Sequence, residues 1–259
     1  MPIPNHFLQR IELARLHGEQ LLWGNDLSVE APTVAQLVEE HRWFWKPPKV
    51  RLVLLAESHV RTSESDLMRT IQTQNYNQLL AGHPQPPSQY VRLIYNLGYG
   101  EPEILHPGPV TPAGGTPGFW KIFATIAGLL PIPPSGNQAK RHARRLWKVA
   151  VLQNLQRRGV WLLDASVHAV YLGNRLRLPN HVTTKLHQQW WEHYGQPLLD
   201  ELNPTNTWII GKSTFDRLTL GNDPIIAPHR ITGWIYQPGA RDVDLGTNWP
   251  QLLAHVPPG

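Results

Sequence analysis

"RLVLLAESHVRTSESD", residues 51–66, decides how the chain is read. Leu52 to Ala56 are five apolar residues without alternation, the pattern of a strand buried on both faces in a parallel sheet. Polar chemistry then arrives at once, as Glu57, Ser58 and His59. A buried strand ending in an acid, a hydroxyl and an imidazole puts side chains where open α/β sheets hold ligands, beyond the carboxyl ends of their strands.

Outward from that strand, residues 6–23 place Phe7, Leu8, Ile11, Leu13, Ala14, Leu16, Leu21 and Leu22 on roughly one helical face. "PTVAQLVEEHRWFW" opens with Pro32 and Thr33, a helix start. Residues 57–118 read as loops around one short element, "QYVRLIYNLGYG". Gly118–Leu130 is a helix with Phe119, Ile122, Phe123 and Ile126 on one face, and Asn137–Arg157 is a basic helix. "GVWLLDASVHAVYLG" opens with a buried strand, Val160–Leu163. Trp190–Leu202 is helical, and "NTWIIGKSTFDRL" is a strand and a helix that meet at Gly211. A last short strand, Ile225–Ala227, ends at Pro228 and His229.

Strands that alternate with helices imply an α/β fold, a mainly parallel sheet covered by helices on both faces. No repeat or linker divides the chain, so residues 1–259 read as a single domain, with 1–48 a helical extension packed on it. The strand ends carry Glu57–Ser58–His59, Asp164, Lys212–Ser213 and His229, which are expected to meet in one crevice.

Composition narrows the chemistry. There is no cysteine among the 259 residues, which excludes disulfides, thiolate zinc sites, a cysteine nucleophile and a cysteine-ligated iron–sulfur cluster. No run of 18 apolar residues occurs, and the first residues mix acids with apolar groups, so the reading is cytoplasmic, with no membrane partner. A net charge of +5 favours polyanions. Lys140, Arg141, Arg144, Arg145 and Lys148 fall mostly on one side of the basic helix, as a phosphate-tracking face or a solvated one. There is no phosphate-binding loop, and "GKS" at 211–213 lacks the upstream glycine. The histidines do not fall at metal-binding helical spacing, so neither a metal nor a cofactor is expected.

Several segments together resemble the uracil-DNA glycosylase superfamily. "LQRRGVWLLDASVHAVYLGN" is similar to the helix, glycine and buried strand that lead to that family's base-reading asparagine. "APHRITGW" resembles its last motif, a strand that ends in a histidine. "GFWKIFATIAGLL" resembles the helix before the second motif, and "RLVLLAESHV" stands where the first motif stands. Motif order and spacing agree from about residue 50 to about 235.

The resemblance implies a three-layer α/β/α sandwich on a four-stranded mainly parallel sheet. It also implies a DNA partner, a monomer, and metal-independent hydrolysis of the bond from a flipped base to its sugar; the cluster of the family's iron–sulfur branch is not expected, because the chain has no cysteine. His229 falls on the family's histidine, which stabilises the departing base, and Glu57 on the glutamate of its iron–sulfur branch, which positions water. Ser58 falls on the aspartate of the other branch; His59 replaces a proline and Ala56 a glycine. Asp164 replaces the base-reading asparagine, and an ionised aspartate offers only acceptors where the amide offers a donor as well. Tyr95, ahead of Tyr90 and Tyr99, is the candidate stacking ring, and "RITGW" the candidate wedge loop through Arg230, Ile231 or Trp234. Nucleic-acid contacts would come from Arg141, Arg144, Arg145, Lys148, Lys212, Ser213 and Arg230. Two other readings keep the fold: a nucleic-acid-binding protein without catalysis, and an enzyme acting on a nucleoside or nucleotide.

Overall fold

A computed structural model describes residues 2–81, 84–108, 117–134, 137–173, 176–237 and 248–258. Two helices open the chain, α1 (Asn5–Trp23) and α2 (Thr33–Phe44), followed by the strand β1 (Leu52–Ala56). Short elements come next: α3 (Glu64–Leu67), β2 (Thr70–Ile71), α4 (Thr73–Leu79) and β3 (Leu105–His106). The middle of the chain holds α5 (Pro117–Ala127), α6 (Gln138–Arg158), β4 (Val160–Asp164), β5 (Tyr171–Gly173) and β6 (Leu176–Arg177). The remainder is α7 (Asn180–Trp190), α8 (Gln196–Leu202), β7 (Asn206–Ile210), α9 (Lys212–Thr219), β8 (Gly233–Ile235) and α10 (Trp249–Ala254).

The fold is α/β. Its main sheet has four strands in the order β4-β1-β7-β8, every pair parallel. With helices on the sheet, the arrangement is consistent with three α/β/α layers. β1 is central, and Leu52 to Leu55 have no exposed surface. Enclosing each such side chain contributes about 1.5–3 kcal/mol, which explains a strand written without polar alternation. Among the described residues, no helix is long and apolar enough to cross a membrane.

Register at the sheet centre is set by the end of α6. The Asn137 side chain caps the start of that helix by accepting from the Lys140 N–H. Gly159 ends it with φ of 76°, where a Cβ would come within 2.7 Å of the Lys49 carbonyl. The Gly159 carbonyl then accepts from the Arg51 N–H at 2.8 Å, aligning β1 with β4 so that Ala56 lies opposite Asp164.

The last strand is not Ile225–Ala227 but Gly233–Ile235. Ile226 instead donates its N–H to the Leu218 carbonyl at 2.8 Å, closing the turn after α9. Pro228, with fixed φ and no N–H, then starts a 3₁₀ turn over Pro228–Arg230. Pairing resumes at Gly233 opposite Trp208, where a Cβ would meet the indole at 2.7 Å. His229 thus precedes its strand and lies at the amino end of the sheet.

The N-terminal helices belong to the core. Phe7 of α1 packs its ring on Trp43 of α2, which stands edge-on to Trp161 of β4. Glu39 and Arg42 of α2 are 2% and 1% exposed and reach toward the carboxyl end of β4.

Candidate functional site

The polar residues that end β1 go to two different places. Glu57 is held by three donors: Tyr171 at 2.8 Å, Arg217 at 2.7 Å, and Arg177. They come from β5, α9 and β6, so this carboxylate ties those elements to the centre of the sheet. Positive charge is in excess there. It helps push the His187 pKa down to about 3, by burial first and then by Arg217 and Arg177.

Ser58 and His59 turn toward β4. The Ser58 hydroxyl donates to the His59 carbonyl and accepts from the Val170 N–H, which fixes the chain leaving β1. The His59 side chain is fully enclosed, and its Nε2 lies 3.0 Å from Glu30. Glu30 also accepts from the backbone N–H groups of Thr62 and Ala169. Nδ1 of His59 lies 4.0 Å from the Asp164 carboxylate and has no hydrogen-bond partner among the described residues.

Asp164 has a counter-ion that the sequence did not assign. Arg42 donates to it at 2.5 Å and, with its other terminal nitrogen, to Glu39. Glu39 in turn accepts from the Tyr194 hydroxyl at 2.8 Å. The result is an enclosed chain of charge: Glu39, Arg42, Asp164, His59, Glu30.

Burial opposes a charged His59 ring, but the carboxylates of Glu30 and then Asp164 outweigh it and hold the His59 pKa above its ordinary value. Burial likewise opposes ionised Glu30, while His59 and the two backbone donors hold its pKa below the usual range. Protonated, His59 donates from both nitrogens, and Nδ1–H is a donor still to be satisfied. In that state three carboxylates face two cations, so the chain carries one net negative charge.

A narrow pocket stands over this chain, beyond the ends of β1 and β4. Ser58, His59 and Asp164 form its polar wall; Leu93, Ile94, Tyr99 and Phe119 form an apolar one, and Arg92 lines it as well. Its free space is about 40 Å³, room for about three waters by the volume one water needs. A larger ring can enter only by displacing a lining side chain; of Leu93, Ile94, Tyr99 and Phe119, only Phe119, at the start of α5, is partly exposed.

Other expected site residues lie elsewhere. Tyr95 is not at the pocket: its hydroxyl accepts from the Leu162 N–H at 2.8 Å and its ring packs on Phe123, so it braces β4. The aromatic rings at the pocket are Tyr99 and Phe119. His229 is exposed beside a separate recess with Thr205, Thr207 and Arg230, and does not approach Glu57 or Asp164 across the sheet. Arg230 pairs with Asp200 at 2.7 Å. Lys212 pairs with Asp216 at 2.5 Å, and Ser213 is exposed. Tyr236 and Gln237, which follow β8, occupy the strand end assigned by sequence to His229.

The basic helix α6 is partly neutralised. Arg144 grips Glu101 with two nitrogens at 2.9 Å, and Lys148 pairs with the same carboxylate at 2.6 Å. Arg145 and Arg141 pair with Glu103 at 2.6 and 3.6 Å. Arg145 and Lys148 are buried, so these two cations fasten the helix to residues 99–103 and present little charge outward. Arg141, at 40% side-chain exposure, is the most open of the four.

The missed members are Glu30, Glu39, Arg42 and Arg92. One signal for Arg42 was available: it stands in "HRWFW", a cation among aromatic residues on a helix that must bury that face. Nothing comparable marked Glu30.

Comparison with protein-family models, with curated proteins and with solved structures found no match to this chain.

Proposed function

We propose that the protein recognises a nucleobase, flipped from a nucleic acid strand, in the pocket beyond β1 and β4, in the manner of a uracil-DNA glycosylase-like fold. One observation carries the reading: His59 and Asp164 line one pocket, and the buried Nδ1 of His59, without a hydrogen-bond partner among the described residues, stands 4.0 Å from the Asp164 carboxylate. Aspartate alone supplies only acceptors, but a protonated His59 beside it adds a donor. The pair offers what one side-chain amide offers, and suits a base edge on which a donor and an acceptor are adjacent. Support also comes from the four-stranded parallel sheet, from the pocket's position beyond two strand ends, and from the rings of Tyr99 and Phe119, surfaces on which a base stacks.

Binding without excision is the better supported form of this reading. Glu57, the expected water-positioning acid, is occupied by Arg177, Arg217 and Tyr171, and His229 lies at the other end of the sheet. His59 is the group that could take the histidine's part, because an enclosed imidazolium stabilises negative charge growing on a departing base.

Labelled oligonucleotides containing uracil, hypoxanthine, xanthine, mispaired thymine or cytosine, single- and double-stranded, test both forms. Base-dependent binding without alkali-sensitive sites is the expected result. Abasic sites that disappear in His59→Gln but persist in His229→Ala would establish excision through His59. Equal binding to every oligonucleotide, unaffected by Asp164→Asn, would overturn base recognition.

A further inference from the structure

The pocket has a second kind of wall. Arg92 lines it, and Arg92 belongs to a cluster whose charge does not balance. Its partner is Asp66, 2.7 Å from Nε and 1% exposed. Asp66 is also claimed by Arg69 and by the backbone and hydroxyl of Ser63, within a capping box that starts α3. One carboxylate therefore faces two guanidinium groups: it accepts from Arg69 and from the backbone and hydroxyl of Ser63, and holds Arg92 by charge alone, since Nε of Arg92 makes no hydrogen bond among the described residues. Arg69 is 13% exposed and Arg92 31%, and neither pairs with another acid among the described residues.

The backbone of Arg92 is held on both sides. Its N–H donates to the Thr62 hydroxyl at 3.0 Å, and its carbonyl accepts from the Val60 N–H at 3.3 Å. No hydrogen bond engages its terminal nitrogens among the described residues. Half-enclosed positive charge in excess costs free energy unless an anion answers it, and a guanidinium with both terminal nitrogens free matches a phosphate in two-point fashion.

We propose that Arg92 is the contact for a phosphoryl group of the pocket's ligand, so that the ligand is a nucleotide, free or within a strand, and not a bare base or nucleoside. The inner wall, His59 and Asp164, takes the base edge, and Arg92 takes the phosphate. The proposal rests on the base-recognition reading, and the two can fail separately.

The test compares each common nucleoside with its 5′-monophosphate by calorimetry, in the wild-type chain, Arg92→Gln and Arg92→Lys. In the wild type, the monophosphate of whichever nucleoside binds is expected to bind about tenfold tighter, about 1.4 kcal/mol by the affinity relation. Arg92→Gln removes that gain and leaves nucleoside affinity unchanged, and Arg92→Lys restores part of it. Arg69 remains on Asp66 in both variants, and matching melting curves verify the fold. A single-stranded oligonucleotide separates the two sources: binding that loses about one unit of salt slope in Arg92→Gln marks a strand phosphate. Equal affinity for nucleoside and nucleotide, or equal loss of both in Arg92→Gln, overturns the proposal. If no nucleoside or nucleotide binds, base recognition fails, and inorganic pyrophosphate decides the anion site alone. Saturable pyrophosphate binding that Arg92→Gln abolishes upholds the site, and its absence in the wild type refutes it.

Discussion

At the carboxyl end of the main sheet, Asp164 and His59 are 3% exposed and joined by Arg42, Glu39 and Glu30 into one enclosed chain of charge. At the amino end, His229 stands exposed by a recess of about 300 Å³, and Arg230 is paired with Asp200 near the surface. The amino-end recess is by far the roomier, yet among the described residues none of its lining side chains holds a buried polar atom without a partner. The carboxyl-end pocket is small, but its walls hold charges shut away from water and a donor without a partner. Volume alone therefore does not mark a site; the free energy spent on enclosing polar groups does.

The sharpest way to break this comparison is to remove the central cation at each end. Arg42→Ala leaves Glu39 and Asp164 buried without their partner and is expected to destabilise the fold by about 3–5 kcal/mol. Arg230→Ala removes a surface pair and is expected to change stability by less than about 1 kcal/mol. Urea denaturation of both variants reads the difference, and comparable losses would erase the distinction.

A smaller effect concerns the apolar wall. If Phe119 is a stacking surface, Phe119→Ala should weaken base binding by about 1–3 kcal/mol while the melting temperature moves little, since the ring is only partly buried. Unchanged affinity would leave Tyr99 as the platform.

The pH dependence sharpens the comparison further. The folded-state pKa of His59 is raised, so its contribution is fully present below the ordinary histidine value and is lost as pH rises through the raised one. Glu30 is lowered, so its contribution is present above the ordinary carboxylate value and is lost as pH falls through the lowered one. Denaturation midpoints should thus be highest between those limits. In His59→Gln the loss on the alkaline side should disappear; an unchanged alkaline limb would exclude His59 as its source. His229→Ala, the smallest effect of all, should leave base affinity and the pH profile unchanged.

Much of the framework was legible because burial writes itself into strands. Leu52–Ala56, Val160–Leu163 and the apolar run before Gly211 are continuous apolar runs, and each became a strand of the sheet. Asp164 and His59 could be read as strand-end residues for the same reason. The last strand could not, since Ile225–Ala227 is as apolar as Trp234 and Ile235, and the choice was made by Pro228 and by the space Gly233 leaves for Trp208. Partners were also hidden: Arg42 lies 122 positions from Asp164, and Glu30 lies 29 from His59, so no spacing rule connects them. Glu57 looked reactive from its position alone, and only Arg177 and Arg217, more than a hundred residues later, reveal that it is engaged.

The most direct test of base recognition by His59 and Asp164 is calorimetric titration of nucleosides and their monophosphates into the wild-type chain across pH. Deprotonation of His59 would remove its Nδ1 donor while Nε2–H stays on Glu30. The account predicts one-to-one binding that weakens as pH rises through the raised pKa of His59, and no such dependence in His59→Gln. Absence of saturable binding at any pH, or an affinity that ignores the state of His59, would contradict it.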